Sequence, residues 1–227
     1  MVRGVRRHNG SLSAFVDGRG AADVKEPNVT DRPVPTGKAD RDYLAAVTVG
    51  GPQPVSRIVV VDYDPQWPGQ FQALASSIRA ALGGAVLGLE HVGSTSVPGL
   101  AAKPKIDIDL IVADSSDEDA YVPHLERAGF TLRIREPDWY EHRVLVREDP
   151  DVNLHVFSPG AEELKRHLIF RDWLRGNDDD RNLYASVKRR LAEREWEYVA
   201  DYAEAKNQVV ATILTRAGYI RPVGDPS

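Results

Sequence analysis

Two carboxylates and a glycine-serine turn lie close together in the middle of the chain. Asp107 and Asp109 alternate with apolar residues in the run KIDIDLIV, which predicts a β-strand that directs both carboxylates to one face. Carboxylates about 7 Å apart on one strand can converge on a divalent cation. Upstream, Gly93 lets a phosphate approach the backbone closely, and Ser94 offers a hydroxyl and an amide donor. These residues suggest chemistry on a metal-bound nucleoside triphosphate; the alternative is a solvated strand edge with no chemical role.

Further polar residues are candidates for the same site, and each has an ordinary structural alternative. His91 can orient a phosphate, and its alternative is a hydrogen-bonded histidine at the end of a strand. Arg171 can neutralise a phosphate, and its alternative is an arginine in a surface ion-pair network. Lys103 and Lys105, which flank the acidic strand, can steer a triphosphate, although solvated lysines are commoner. The candidates for nucleotide binding are His91, Gly93, Ser94, Thr95, Lys105 and Arg171; those for substrate binding are Arg166, His167, Tyr202 and Lys206.

Composition limits the classes of function. The chain has 227 residues, a formal net charge of -5 and no cysteine. The acidic balance disfavours nucleic acid as a partner, and the lack of thiols leaves carboxylate and histidine as metal ligands. No apolar run approaches the length of about 18 residues that a membrane helix needs, and the N-terminus has no apolar signal region. We therefore expect a cytoplasmic protein that binds small molecules.

The chain divides into three parts by pattern. Residues 1–54 are rich in Gly, Pro, Asp and Arg and predict a mostly disordered or irregular extension, with a turn of helix near Leu44. Residues 55–220 carry the periodic apolar pattern of a domain, and residues 221–227 form a tail. Within the domain the pattern predicts strands at 58–61, 86–92, 106–112, 130–135, 142–146 and 152–157. It predicts a helix that follows a turn at 64–68, has its apolar positions from Phe71 to Leu82 and stops at Gly83. It predicts further helices from Ser115 or Ser116 to about Ala128, and near 161–175, 180–193 and 197–217.

This order of elements predicts an α/β (α+β) fold. Strands separated by a helix favour a parallel pair, whereas strands joined by short polar links favour antiparallel pairs. We therefore expect one mixed β-sheet with helices and a helical C-terminal third.

The chain resembles a known family over about residues 57–217. The segments DYDPQWPGQF, EHVGSTSVPGLAAKPKIDI, NLHVF, RHLIFRDWLR and YAEAK occur in the order typical of the GrpB (UPF0157) family, a branch of the nucleotidyltransferase-like fold. The resemblance implies a small mixed sheet with helices behind it. It also implies that Gly93 and Ser94 bind a triphosphate while Asp107 and Asp109 bind Mg²⁺. Some members of the family are fused to dephospho-CoA kinase.

One departure from the superfamily pattern bears on catalysis. Active nucleotidyltransferases usually carry a third carboxylate on a later strand, and His155 takes the central position of that strand here. His155 could act as a base, and Asp151 or Glu141 could supply the acid.

Three hypotheses follow for the function. The first is a Mg²⁺-dependent nucleotidyltransferase that moves a nucleoside monophosphate from a triphosphate to a small acceptor, with Asp107, Asp109 and His155 as catalytic residues. The second is a non-catalytic nucleotide-binding or partner-stabilising module of the same fold. The third is a metal hydrolase that uses His91, His155 and His167 with Asp107.

Overall fold

One five-stranded sheet forms the centre of the protein. The computed structural model describes residues 39–55 and 57–223. The strands are β1 (Gly88–Val92), β2 (Ile106–Ile111), β3 (Thr131–Glu136), β4 (His142–Arg147) and β5 (Val152–Phe157). Their spatial order is β1-β2-β5-β4-β3, in which β2 and β5 are parallel and the other neighbours are antiparallel. This arrangement confirms the mixed sheet that the sequence predicts.

Seven α-helices accompany the sheet in the part of the chain that the structure describes. They are α1 (Arg41–Val47), α2 (Trp67–Leu82), α3 (Val122–Arg127), α4 (Glu162–Gly176), α5 (Asp178–Ala192), α6 (Val199–Glu204) and α7 (Asn207–Arg216). Helices α2 and α3 pack Leu74, Ile78 and Leu125 against Ile108 and other apolar residues of the sheet. A second core joins α4 to α7 and includes Ile58, from the segment before α2, and residues of the loop after β1. None of these helices is long and apolar enough to cross a membrane.

The sheet has one apolar face and one polar face because apolar and polar residues alternate along β2 and β5. The apolar residues Ile106, Ile108, Leu154 and Val156 belong to the core shared with α2 and α3. Asp109 lies opposite His155 in the parallel register, so the polar residues of β2 and β5 share the other face. The candidate site therefore lies between this polar face and the C-terminal helices.

Three predicted elements differ from the structure. Residues 58–61 form no strand, because Ile58 packs into the helical core while Val61 makes only an isolated bridge to Ala102. The helix predicted from Ser115 or Ser116 begins only at Val122, since Pro123 favours the first turn of a helix and residues Glu118–Ala120 form a separate 3-10 turn. The helix predicted over 197–217 is divided into α6 and α7 by a turn at Ala205 and Lys206.

Part of the predicted extension packs on the domain. Arg41 of α1 binds the buried carboxylate of Asp201, with Nη1 2.8 Å from Oδ1. Thr48 forms a bridge with Ile134, and Val47 is buried. Residues 39–54 therefore contact both β3 and α6, while the predictions for residues 1–38 and 224–227 lie outside the described residues.

Candidate functional site

The glycine-serine turn lies directly against the first acid. Gly93 has φ +67°, and a Cβ added to it would lie 2.3 Å from Oδ2 of Asp107. No other residue type can take this position without displacing that carboxylate. The turn continues as a 3-10 helix, Ser94–Ser96, in which the Ser96 hydroxyl donates to the carbonyl of Gly93 at 2.6 Å. The turn therefore holds Ser94 beside the polar face of β2.

A small cavity of about 160 Å³ opens beside Ser94 and Asp107. The structure describes five lysines, and four of them line this cavity; the fifth, Lys165, lies exposed on α4. We call it the lysine cavity, and its lining comprises Ser94, Lys103, Lys105, Asp107, Asn153, Lys188, Val199, Tyr202, Ala203 and Lys206. Such a concentration of ammonium groups around one serine favours a ligand with several negative charges.

Lys188 is the most deeply buried of the four ammonium groups. The residue is 2% exposed, and its Nζ donates to Oγ of Ser94 at 2.8 Å. Burial, together with repulsion from Lys206, holds the pKa of Lys188 well below its usual range. Burial and repulsion from Lys105 and Lys206 likewise lower the pKa of Lys103. An anion in the cavity would relieve both the burial penalty and the repulsion.

Tyr202 also lines the lysine cavity, and its buried hydroxyl has no hydrogen-bond partner among the described residues. Burial raises the pKa of this hydroxyl, so it remains a hydrogen-bond donor. Nζ of Lys206 lies 4.9 Å from the centre of the Tyr202 ring. Because a buried polar group without a partner costs free energy, the hydroxyl indicates a site for a hydrogen-bonding ligand.

The two acids of β2 have different surroundings. Asp107 accepts a hydrogen bond from Nδ2 of Asn153 at 3.0 Å, and Nε2 of His155 lies 3.9 Å from its Oδ1. Burial raises the pKa of Asp107, but His155 and Asn153 oppose burial and hold the net pKa below its usual range. Asp107 is therefore an ionised group in the wall of the lysine cavity.

Asp109 is paired with a histidine. It is fully buried, and Nδ1 of His167 lies 3.1 Å from its Oδ1 and 2.9 Å from its Oδ2. Nε2 of His167 lies 3.1 Å from Oε1 of Glu163. Burial lowers the pKa of His167, yet the two carboxylates outweigh burial and raise it to about 10. Both carboxylate oxygens of Asp109 therefore face an imidazolium.

The two-acid magnesium site does not fit this arrangement. Both oxygens of Asp109 face His167, and only Asp107 lines the cavity. The described residues contain no group of three or more histidine or acidic side chains that could hold a metal ion. Magnesium binding stays a prediction, and it would require His167 to leave Asp109.

The candidates around the turn make contacts of their own. Nε2 of His91 lies 3.1 Å from Oγ1 of Thr95, and both residues are buried. The His91 ring stacks on Phe71, and burial lowers its pKa to about 4. The contacts of His91 with Thr95 and Phe71 therefore stabilise the glycine-serine turn.

Of the three histidines of the metal-hydrolase hypothesis, His155 lies 3.9 Å from Asp107 and His167 pairs with Asp109 instead. The described residues therefore do not form the ligand cluster that this hypothesis requires.

The arginine candidates lie outside the lysine cavity. Nη1 of Arg171 donates to Oε2 of Glu90 at 2.9 Å and to the carbonyl of His91 at 3.1 Å, which joins α4 to β1. Arg166 binds Glu163 and lines a different, larger cavity of about 600 Å³ near α7. The structure thus brings Ser94, Lys105, Tyr202 and Lys206 together with Asp107, and it places Arg166, His167 and Arg171 elsewhere.

Sequence reasoning missed Lys188 and gave little weight to Lys103. A signal for Lys188 exists in α5, where Tyr184, Lys188 and Leu191 are spaced for one helix face. Tyr184 and Leu191 are buried core residues, so a lysine between them is a charge on an apolar face. Such a charge needs a function or a partner.

Proteins with similar sequences align with most of this chain. It is 54% identical over 192 residues to UPF0157 protein BH1888 of Halalkalibacterium halodurans, which spans 84% of this chain and 98% of that protein. A dephospho-CoA kinase of Mycolicibacterium paratuberculosis is 32% identical over 161 residues, which span 60% of this chain and 40% of the kinase.

A solved structure and a family model agree with these relatives. The crystal structure of conserved protein GrpB from Enterococcus faecalis superimposes with a TM-score of 0.63 at 31% identity, covering 70% of this chain and 96% of that one. The family model described as GrpB protein matches residues 57–216. The chain therefore belongs to the GrpB protein family.

Proposed function

We propose that this chain binds a nucleoside triphosphate with its phosphates in the lysine cavity and transfers the nucleoside monophosphate to a small acceptor. The observation that carries the proposal is that four lysines and Ser94 line one cavity together with Tyr202, whose buried hydroxyl has no partner among the described residues. Ammonium and hydroxyl donors around a narrow space are the groups that recognise phosphate oxygens. At about 160 Å³ the cavity suits phosphates, and the nucleoside would lie outside it.

The reaction consistent with this site is in-line displacement at the α-phosphorus. An acceptor hydroxyl, amine or phosphate attacks, the new bond to phosphorus forms, and the bond to the leaving pyrophosphate breaks. The lysines would neutralise the charge that builds up on the phosphate oxygens, and the rigid turn would hold the chain of phosphates in line.

A non-catalytic nucleotide-binding module is the second candidate, and the pairing of His167 with Asp109 favours it. With one acid neutralised in this way, the site lacks the two free carboxylates of the expected magnesium site. The match to 40% of a dephospho-CoA kinase is also compatible with a module that works beside another domain.

Calorimetric titration tests the binding proposal. ATP, GTP, CTP and UTP are titrated with and without Mg²⁺, and tripolyphosphate and adenosine form separate arms. We expect tripolyphosphate and at least one nucleotide to bind and adenosine to bind far more weakly. Binding of adenosine as tight as that of ATP, or no binding of any triphosphate, would refute the proposal. Steady release of pyrophosphate from the bound nucleotide then separates the transferase from the non-catalytic module.

Melting curves test the magnesium expectation. Wild type and Asp107→Asn are compared with and without Mg²⁺ in the presence of the nucleotide that binds best. If Asp107 takes part in metal binding, the substitution removes the Mg²⁺-dependent rise in melting temperature without lowering the metal-free stability. An equal response to Mg²⁺ in both proteins, with a weaker variant, would show that Asp107 is only structural.

A further inference from the structure

The larger cavity near α7 has the size and the aromatic lining of a site for a flat organic ligand. We call it the aromatic cavity, because Tyr43 of α1, Trp139 after β3 and Tyr219 after α7 are among the residues that line it. Its volume is about 600 Å³, whereas that of the lysine cavity is about 160 Å³. A volume in this range is typical of sites for small organic molecules. The aromatic cavity therefore offers room for a ring system that the lysine cavity lacks.

The start of α7 connects the two cavities. Lys206, at the N-cap of α7, lines the lysine cavity, whereas Asn207, the next residue, lines the aromatic cavity. Ala211 and Leu214, further along α7, continue the wall of the aromatic cavity. Because the Cα atoms of consecutive residues are about 3.8 Å apart, the two cavities are neighbours at this point of the fold.

A second connection runs across the polar face of the sheet. Glu136 lines the aromatic cavity, and its Oε2 lies 2.6 Å from Nδ1 of His142. The ring of His142 stacks on that of His155, with centres 5.2 Å apart. Nε2 of His155 lies 3.9 Å from Oδ1 of Asp107, which lines the lysine cavity. Two stacked imidazole rings therefore lead from one cavity to the other.

Polar groups in the lining of the aromatic cavity are available to a ligand. The amide of Asn207, the hydroxyl of Tyr219 and Nε1 of Trp139 make no hydrogen bond to other described residues. An asparagine amide holds a donor and an acceptor side by side in one plane. Adenine presents the complementary pair, an N6 amino donor beside the N7 acceptor, and asparagine can bind both at once. Aromatic side chains add stacking on the face of the base.

We propose that the aromatic cavity binds the adenine base of the triphosphate and that Asn207 is the residue that selects adenine. The proposal rests on the function proposed above, which places the phosphates in the lysine cavity. Since the ribose joins the base to the α-phosphate, the base must lie in a space next to that cavity, and the aromatic cavity is such a space. The ribose and the α-phosphate then lie over His155, between the two cavities.

Calorimetry of the full chain with ATP, ITP and tripolyphosphate tests the selection of adenine. ITP has an oxygen in place of the N6 amino group and keeps N7, so it cannot make the paired contact with Asn207. We expect wild type to bind ATP about 5- to 100-fold more tightly than ITP. Asn207→Ala should lose most of this preference and keep the Kd for tripolyphosphate. Equal Kd values of ATP and ITP in wild type, or an undiminished preference in Asn207→Ala, would overturn the proposal.

Asn182→Ala is the matched control. Asn182 is exposed on α5 and is not part of the lining of either cavity, so its substitution should leave all three Kd values unchanged. Asn207 is also exposed, so Asn207→Ala should fold and melt like wild type.

Photo-cross-linking locates the base without any substitution. The probe is 2-azido-ATP, whose reactive group lies on the adenine ring on the side away from N7. We expect cross-links in peptides that contain Tyr43, Trp139 or Tyr219, and an excess of ATP should suppress them. Suppressible cross-links confined to other peptides would show that the base lies elsewhere.

The two proposals fail in different ways. If neither tripolyphosphate nor any nucleoside triphosphate binds, the proposed function is refuted, and the assignment of the base is refuted with it. If tripolyphosphate and the nucleotides bind but ATP has no preference over ITP, the lysine cavity keeps its proposed role and only the assignment of adenine to the aromatic cavity is wrong.

Discussion

Replacing Lys188 with methionine should weaken phosphate binding while leaving the free protein at least as stable. Nζ of Lys188 is buried beside Ser94, where a ligand phosphate would also lie. A hydrogen bond to a charged group contributes about 1.5–3 kcal/mol, and about 1.4 kcal/mol corresponds to a tenfold change in Kd. We therefore expect Lys188→Met to raise the Kd for tripolyphosphate about 10- to 100-fold.

The stability of the free variant should change in the opposite sense. Methionine fills a volume similar to that of lysine and removes a buried ammonium group. Burial is the main cause that lowers the pKa of Lys188 below the ordinary value of 10.5. Because the unfolded chain holds this proton more tightly than the folded one, wild type gains stability as pH rises from the folded pKa toward 10.5, whereas the variant lacks this gain. The melting temperature of Lys188→Met at neutral pH should equal or exceed that of wild type.

The assay is paired calorimetry and thermal melting, with Lys165→Met as the control. Lys165 carries a similar charge on α4 but lies outside the cavity, with a side chain that is 62% exposed. The control should leave the Kd unchanged within about twofold, since a surface ion pair contributes about 0–1 kcal/mol to stability and has no contact with the ligand. If Lys188→Met loses stability but keeps its affinity for tripolyphosphate, Lys188 has a structural role. The proposal that the lysine cavity binds phosphates would then be wrong.

Three further predictions concern the turn, the buried ion pair and the N-terminal segment. Gly93→Ala should lower the free energy of unfolding by at least about 2 kcal/mol, whereas Gly160→Ala, with positive φ but open space, should cost only about 1–2 kcal/mol; equal losses in denaturant unfolding would exclude the predicted clash. The pKa of His167, raised to about 10, implies stability that is complete below pH 6.5 and is lost as pH rises toward 10. Wild type should lose about 2–4 kcal/mol more than His167→Gln over that range, and parallel pH profiles of unfolding would contradict the pairing. Deleting residues 1–53 should cost at least about 2 kcal/mol relative to deleting residues 1–36, because the first loses the contacts of α1 and leaves the buried Asp201 without its arginine; coincident melting curves would show that α1 adds nothing.

The sequence alone was sufficient for the framework of the site. Alternation of polar and apolar residues in KIDIDLIV predicted β2 and the common face of Asp107 and Asp109, because side chains alternate in any strand. Short polar links and helical spacing also predicted the mixed sheet. Both the hydrophobic period and the turn residues that end an element are local properties of the sequence. The Gly93 turn was also predictable, although only the structure shows that a side chain there would meet Asp107.

Local pattern was misleading where long-range packing decides the outcome. The apolar run at 58–61 has the composition of a strand, but Ile58 lies in the helical core instead of joining the sheet. The helix predicted over 197–217 has the right period, yet it is divided at Ala205 and Lys206, which places Tyr202 and Lys206 in the cavity wall. Propensity cannot foresee such changes, because the free energy of tertiary packing exceeds the small local preferences.

The partners of each polar group were decided by tertiary structure alone. Asp107 and Asp109 look equivalent in the sequence, but His167, 58 positions further along the chain, pairs with Asp109 and leaves Asp107 to the lysine cavity. Lys188 comes from a helix 94 positions after Ser94, and no local pattern encodes that meeting. The chain therefore encodes locally which residues can do chemistry, whereas the fold decides which charges are neutralised and which stay available, because Coulomb and hydrogen-bond energies depend on distances in space and not on separation in sequence.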